Sequence, residues 1–313
     1  MSRLINGLHH ITALGGEPQA NLDFYAGVLG LRLVKKTINF DATNVYHLYY
    51  GDETGQPGTI MTFFPYPGIT RGRIGTGQVT ITSFSIPANS VDYWAKRLES
   101  KNIPFQSPSR RGDETVLPLE DPDGLLLELV ATDQDKRSGW TQGDVPAEHA
   151  IRGFFGISVC VGNPMATQHL LTTTLEHTVV DEHGGRTRLQ AGDGGPGTLI
   201  DLVCPPNPVR GLQGGGTIHH VAFSTDSDET QKQIREKLAQ AGMQVTAVLD
   251  RQYFHSIYFR EPGGVLFEVA TNPPGFARDE EVAELGTSLK LPPWEEKNRE
   301  RIEQNLQPIT MNS

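Results

Sequence analysis

Four stretches of the chain, residues 8–13, 79–86, 154–161 and 217–224, are rich in β-branched and aromatic residues and read as strands. Each is followed by an amphipathic stretch, at 20–29, 90–100, 164–175 and 228–241. The apolar spacing of Val91, Trp94, Ala95 and Leu98 fits a helix face. Asp226 with Glu229 makes a capping box for the fourth helix, and Gly242 is a stop for it. Short strands with turns come next, for example 46–51 then 59–64, and 254–260 then 265–270.

An internal repeat organises these elements. Asp121-Pro122-Asp123-Gly124 leads into an apolar run interrupted by Glu128. Glu261-Pro262-Gly263-Gly264 leads into a similar run interrupted by Glu268. The two copies read as turns feeding strands of one design, about 140 residues apart. The pattern predicts four βαβββ modules in two duplicated halves. The expected fold class is α+β, with curved mixed sheets. The boundaries read as an N-terminal domain over 1–140 and a C-terminal domain over 150–280. A polar linker with Gly139, Gly143 and Pro146 falls between them, and 281–313 is a tail. The tail predicts one charged helix over 294–305, read as a solvated face.

Composition narrows the function classes. The 313 residues are 37% hydrophobic and 20% charged, enough to build a core. A formal net charge of −10, from 37 acidic and 27 basic residues, disfavours nucleic-acid binding. No apolar run reaches the roughly 18 residues that would span a bilayer, and residues 1–7 lack a signal-peptide pattern. The expectation is a cytoplasmic protein without membrane or nucleic-acid partners; a homo-oligomer stays open. Cys160 and Cys204 are too few for a disulfide scaffold and read as a reduced pair on module three.

Two of the four modules open with paired histidines: His9-His10 in module one and His219-His220 in module four. Strand alternation sends the members of each pair to opposite faces. His220 travels with Ala222 and Ser224, small residues that leave room for a ligand. His10 travels with Thr12. Glu268 interrupts a run that otherwise looks buried, and a buried lone carboxylate is costly unless paired, protonated or metal-bound. Two imidazoles and a carboxylate match the facial triad of non-haem Fe(II) oxygenases. Hydrogen-bonded core histidines are the competing reading. Glu128, with no histidine on its partner strand, reads as the remnant of a degenerate site. The triad requires module one to pair with module four.

At these residues the chain resembles the vicinal oxygen chelate (glyoxalase/dioxygenase) superfamily, most closely its ring-cleaving hydroquinone dioxygenases. The segments carrying the resemblance are Leu8-His9-His10-Ile11-Thr12, residues 23–36, residues 46–52, Pro57-Gly58-Thr59, Ile218-His219-His220-Val221-Ala222-Phe223 and residues 262–268. The resemblance implies an Fe(II)-dependent dioxygenase that cleaves a small aromatic diol, hydroquinone or catechol, with O₂; Mn(II) is an alternative metal. It places the metal ligands on His10, His220 and Glu268. It places supporting and substrate-contacting roles on His9, Thr12, His219, Arg251 and Tyr258. His255 is a further acid or base by its neighbourhood. His47, His149, His169, His177 and His183 read as structural or exposed. The rival on the same scaffold is a glyoxalase-type isomerase or thiol transferase. Such enzymes typically use two carboxylates among four protein ligands, and one credible carboxylate is found here. A metal-free binding protein is the second rival, and the intact triad argues against it.

Overall fold

The computed structural model describes residues 3–311. Module one is β1 (Gly7–Gly15), α1 (Pro18–Leu22), β2 (Arg32–Asn39), β3 (Ala42–Gly51) and β4 (Ile60–Pro65). Module two is β5 (Gln78–Ile86), α2 (Val91–Ser100), β6 (Ser109–Arg111), β7 (Glu114–Glu120) and β8 (Leu126–Ala131). Module three is β9 (Gly153–Cys160), α3 (Pro164–Thr173), β10 (Thr178–His183), β11 (Arg186–Gln190) and β12 (Leu199–Val203). Module four is β13 (Thr217–Thr225), α4 (Asp228–Gln240), β14 (Leu249–Asp250), β15 (Phe254–Arg260) and β16 (Leu266–Pro274).

The modules form two curled eight-stranded mixed sheets. One runs β14-β15-β16-β13-β1-β4-β3-β2 and so joins module one to module four. The other runs β10-β11-β12-β9-β5-β8-β7-β6 and joins module two to module three. Within each module the first and last strands pair in parallel. Between modules the first strands pair antiparallel, β1 with β13 and β5 with β9. Pairing through the first strands brings the paired histidines of modules one and four onto adjacent strands.

The repeated turns explain their acidic residues. Asp121 accepts from the backbone N–H groups of Asp123 and Leu125 and from the Tyr25 hydroxyl at 3.0 Å. Glu261 accepts from the backbone of Gly263 and Val265 and from the Thr167 hydroxyl at 2.6 Å. Each carboxylate thus shapes its own turn and ties it to a neighbouring module: module two to module one, module four to module three. The buried polar atoms satisfy one another.

Three local expectations are corrected. The first helix is one turn of α1 continuing as a π-helix over Asp23–Val28. There the N–H of Leu29 reaches back to the Phe24 carbonyl, and the widened turn holds Tyr25 against Asp121. The cap of α4 is Ser227, which accepts from the Thr230 N–H, rather than Asp226. Asp226 instead accepts from the side-chain amides of Asn6 and Asn272. The tail helix, α5, is shorter than expected (Arg299–Asn305) and is not purely solvated, because Ile302 and Leu306 are buried against the core. Upstream, the stretch that leads from β16 into the tail lays Phe276 and Leu285 onto Val34, Tyr49, Ile60 and Phe254. It also pairs Asp279 (2.6 Å) and Glu280 with the fully buried Lys35. Cys160 and Cys204 are free thiols.

Candidate metal centre and its cavity

The adjacent strands β16, β13 and β1 each contribute one buried side chain to a single point: Glu268, His220 and His10. The Nε2 atoms of the two imidazoles lie 3.3 Å apart. Glu268 Oε2 lies 3.0 Å from His220 Nε2 and 3.3 Å from His10 Nε2. These approaches lack hydrogen-bond alignment, and Oε2 is a fully buried acceptor without a partner. The second oxygen, Oε1, accepts from the Ser256 hydroxyl. Burial pushes the Glu268 carboxyl up, and the His10 and His220 imidazoles outweigh it, holding the group well below the usual carboxylate range. The carboxylate is therefore ionised. An anionic oxygen facing two ring nitrogens in a dry site is the donor set that a divalent cation satisfies.

The neighbouring histidines reach the second ring nitrogen of each of these imidazoles. In both β1 and β13 the strand register slips at the first histidine of the pair, so that Leu8 pairs with Phe223 but His10 with Ala222, and Thr12 with His220 but Ala13 with Ile218. His9 and His219 are thus extra, bulged residues. Simple alternation, which put them on the opposite face from their neighbours, fails for that reason. The bulges bring adjacent rings edge to face, with Nδ1 to Nδ1 distances of 2.9 Å for His9–His10 and 2.8 Å for His219–His220. Burial, then the adjacent imidazole, lowers His9 to about 3 and His219 to about 4, so both rings are neutral at pH 7. With His9 and His219 accepting at Nδ1 from His10 and His220, the two converging Nε2 atoms would carry the bare lone pairs that a metal ion needs.

A cavity of about 430 Å³ opens on this cluster. His10, His220, His219, Arg251, Tyr258, Phe254, Phe64 and Leu266 line it, with His47, Tyr49, Asn39, Asp41 and Tyr66 on the β2–β3 side. Of the flanking residues singled out from sequence, His219, Arg251 and Tyr258 reach the wall. His9 and Thr12 sit behind it, and Thr12 accepts from the Thr62 hydroxyl at 2.8 Å. Arg251 Nε donates to the Tyr258 hydroxyl at 3.2 Å, and burial raises that phenol well above its ordinary value. His255 is not among these wall residues. It pairs with Asp228 at the start of α4, 2.6 Å away. His47 was read as structural or exposed; it lines the cavity instead, with its ring on Phe64 and Tyr49. Alternation along β3 carried that signal, since His47 and Tyr49 share a face.

The other sheet holds the repeat image of this site. Glu128 pairs with Ser83 as Glu268 pairs with Ala222. Two residues back, Ile81 stands where the first sheet has His220. Gly156 stands where it has His10, and a Cβ there would lie 2.7 Å from the Leu199 carbonyl oxygen. No histidine fits. Arg111 stands at the register of Arg251 and makes two hydrogen bonds to Glu128, at 3.0 and 2.9 Å. Glu114, Arg188, Asp201 and Arg186 extend the network. Guanidinium groups compensate these carboxylates, and the cluster of His10, His220 and Glu268 is the one metal-suited group among the described residues.

Residues 7–129 and 157–269 match the model of the Glyoxalase/Bleomycin resistance protein/Dioxygenase superfamily. Among curated proteins, MhqO of Bacillus subtilis (strain 168), named as a candidate ring-cleaving dioxygenase, is 46% identical over 99% of this chain and 98% of its own length. The chlorohydroquinone/hydroquinone 1,2-dioxygenase of Sphingobium indicum is 33% identical over 92% of each chain. A crystal structure of a candidate dioxygenase from Bacillus subtilis superposes with a TM-score of 0.95 over the whole of both chains at 44% identity. Glyoxalase I from Zea mays shares the fold, with a TM-score of 0.62 at 16% identity over 85% of this chain and 92% of its own.

Proposed function

The chain belongs to the Glyoxalase/Bleomycin resistance protein/Dioxygenase superfamily, and from that premise we propose that it is an Fe(II)-dependent dioxygenase that opens the ring of hydroquinone-type aromatic diols with O₂. The observation that carries the reading is a donor set of two imidazoles and a single carboxylate on an aromatic-walled cavity. In module one the register position of Glu268 belongs to Thr62, which pairs with Thr12 as Glu268 pairs with Ala222. A second carboxylate, as glyoxalase-type isomerases use, is missing from the position where the repeat would supply it. Three protein ligands leave open positions for two reactants. The full-length relatives named as ring-cleaving dioxygenases support the same reading.

His10, His220 and Glu268 would hold the ion. When bound, Fe(II) supplies Lewis acidity toward a phenol and redox chemistry toward O₂. The chain's own groups do the rest. His9 and His219 keep the ligand rings in the required tautomer and orientation. With His219 accepting at Nδ1 from His220, its proton would sit on Nε2 at the cavity wall, where it can donate to a substrate oxygen. Arg251 is a fixed cation on the same cavity wall, and it holds the Tyr258 hydroxyl through Nε. Together they stabilise negative charge developing on a phenolic oxygen. Phe64, Phe254 and Leu266 exclude water and pack against a flat ring.

The test is oxygen uptake. Apo protein is loaded anaerobically with Fe(II) or Mn(II), then mixed with aerated hydroquinone, catechol or the hemithioacetal of methylglyoxal and glutathione. Fe(II)-dependent O₂ loss with a ring-opened product from hydroquinone is expected. Isomerisation of the hemithioacetal without O₂ uptake would overturn the proposal in favour of the isomerase.

A further inference from the structure

His47 and Tyr49 face the cavity from β3, and neither is needed to hold the ion. They open a chain of four hydrogen-bonding groups whose proton positions are determined. Thr62 gives its only proton to Thr12. The Thr62 oxygen, 2.9 Å from His47 Nε2, must therefore accept from that nitrogen. Burial holds His47 well below the usual imidazole range, so the ring is neutral and its Nδ1 is bare. The Tyr49 hydroxyl lies 2.8 Å from Nδ1 and donates to it. Burial raises the Tyr49 phenol well above its ordinary value, which keeps that proton in place. The chain thus runs one way, from Tyr49 through His47 and Thr62 to Thr12. It leaves the Tyr49 oxygen as an acceptor at the cavity wall.

We propose that Tyr49, oriented by His47, accepts the second hydroxyl of a para-diol whose first hydroxyl is taken up at the His10–His220–Glu268 cluster. The pair then selects para-diols over ortho-diols and monophenols. This rests on the dioxygenase reading above. The order β1-β4-β3 places Tyr49 two strand spacings, about 9–10 Å along the sheet, from the strand of His10. A ring with oxygens at opposite ends, lengthened by a metal–oxygen bond at one end and a hydrogen bond at the other, matches such a separation, whereas an ortho-diol presents both oxygens at one edge. Competing acceptors on that side are engaged or remote. The Tyr66 oxygen already accepts from Asn39, and the Asp41 side chain is 82% exposed at the rim beside Arg251.

The test measures binding without turnover. Metal-loaded protein is titrated anaerobically with hydroquinone, catechol, phenol and 4-methoxyphenol, whose second oxygen accepts but cannot donate. A buried acceptor left unpaired is expected to cost phenol and 4-methoxyphenol roughly 10- to 100-fold in Kd relative to hydroquinone. Tyr49→Phe keeps the packing and should bring hydroquinone and phenol to a common affinity, because hydroquinone loses its acceptor and phenol no longer leaves one unpaired. Thr62→Val removes the acceptor from His47 Nε2, so the ring proton moves to Nδ1 and the bond to Tyr49 reverses. Tyr49 then becomes a donor, and the penalty against 4-methoxyphenol should narrow. Equal weakening of all four ligands in Tyr49→Phe would mean that Tyr49 only shapes the wall, which overturns the proposal and leaves the dioxygenase reading intact. Equal affinity of the wild type for hydroquinone and phenol would overturn it as well. Failure of the wild type to bind any phenol would overturn both.

Discussion

At the scale of single residues, buried histidines in this chain divide by what surrounds them. His10 and His220 converge on a buried carboxylate, and bulged neighbours contact their second ring nitrogens. His177 is the contrast. It is buried after α3, with Nδ1 3.0 Å from the Leu175 carbonyl and Nε2 unpartnered. Burial lowers it to about 4. A histidine whose folded pKa lies below its unfolded value binds protons in the unfolded chain first, so stability falls as pH drops from about 6.5 toward 4. The expected loss from this group is about 2 kcal/mol between pH 7 and pH 5. His177→Leu should remove that part of the slope, read from urea midpoints at the two pH values; an unchanged slope would show that His177 is not buried as a neutral base. The ligand triad was legible in the sequence because paired histidines and an acid inside an apolar run are each improbable. His47 was not, because a single histidine on a half-polar strand has no such signature until the sheet curls and turns that face inward.

At the scale of elements, the repeat was legible wherever turn chemistry and strand pattern coincide, as in the two acidic-Pro-x-Gly hairpins. The roles of their carboxylates were not, because Tyr25 and Thr167 come from other modules. The start of the first helix escaped for a related reason: its π-helical turn is set by the tertiary contact of Tyr25 with Asp121, whereas apolar spacing fits a regular helix. In the second sheet, β6 and β8 show what a module does with a ligand-position carboxylate when no histidine accompanies it: Arg111 binds Glu128. Removing one partner of a buried pair leaves the other uncompensated. Arg111→Met is expected to destabilise the protein by about 3 kcal/mol, and the double variant Arg111→Met with Glu128→Gln should recover most of it. Denaturant unfolding of the three proteins is the check, and metal content should stay at the wild-type level in each. A neutral Arg111→Met would mean that the network is ornamental.

At the scale of the whole molecule, one architecture is used twice, and among the described residues one copy gathers two histidines and a glutamate. The first strands of modules one and four meet at the centre of one sheet and supply the donors. Those of modules two and three meet at the centre of the other, where Gly156 and Ile81 replace the histidines. The sequence placed the triad across modules one and four, because only those modules hold the residues. It could not show that arginines close the other sheet, since Arg111 and Arg188 look like ordinary surface charges in a linear reading. The chain after β16 reinforces the first sheet, with Phe276 and Leu285 behind Tyr49 and with Asp279 and Glu280 on Lys35. A single metal centre per chain, built by His10, His220 and Glu268, is decided by metal content, measured by elemental analysis after anaerobic Fe(II) loading and desalting. One ion per wild-type chain is expected, and less than about a tenth of that in Glu268→Gln, because this carboxylate is the buried anion that the cation would compensate. Two ions per chain, or full iron content in Glu268→Gln, would contradict it.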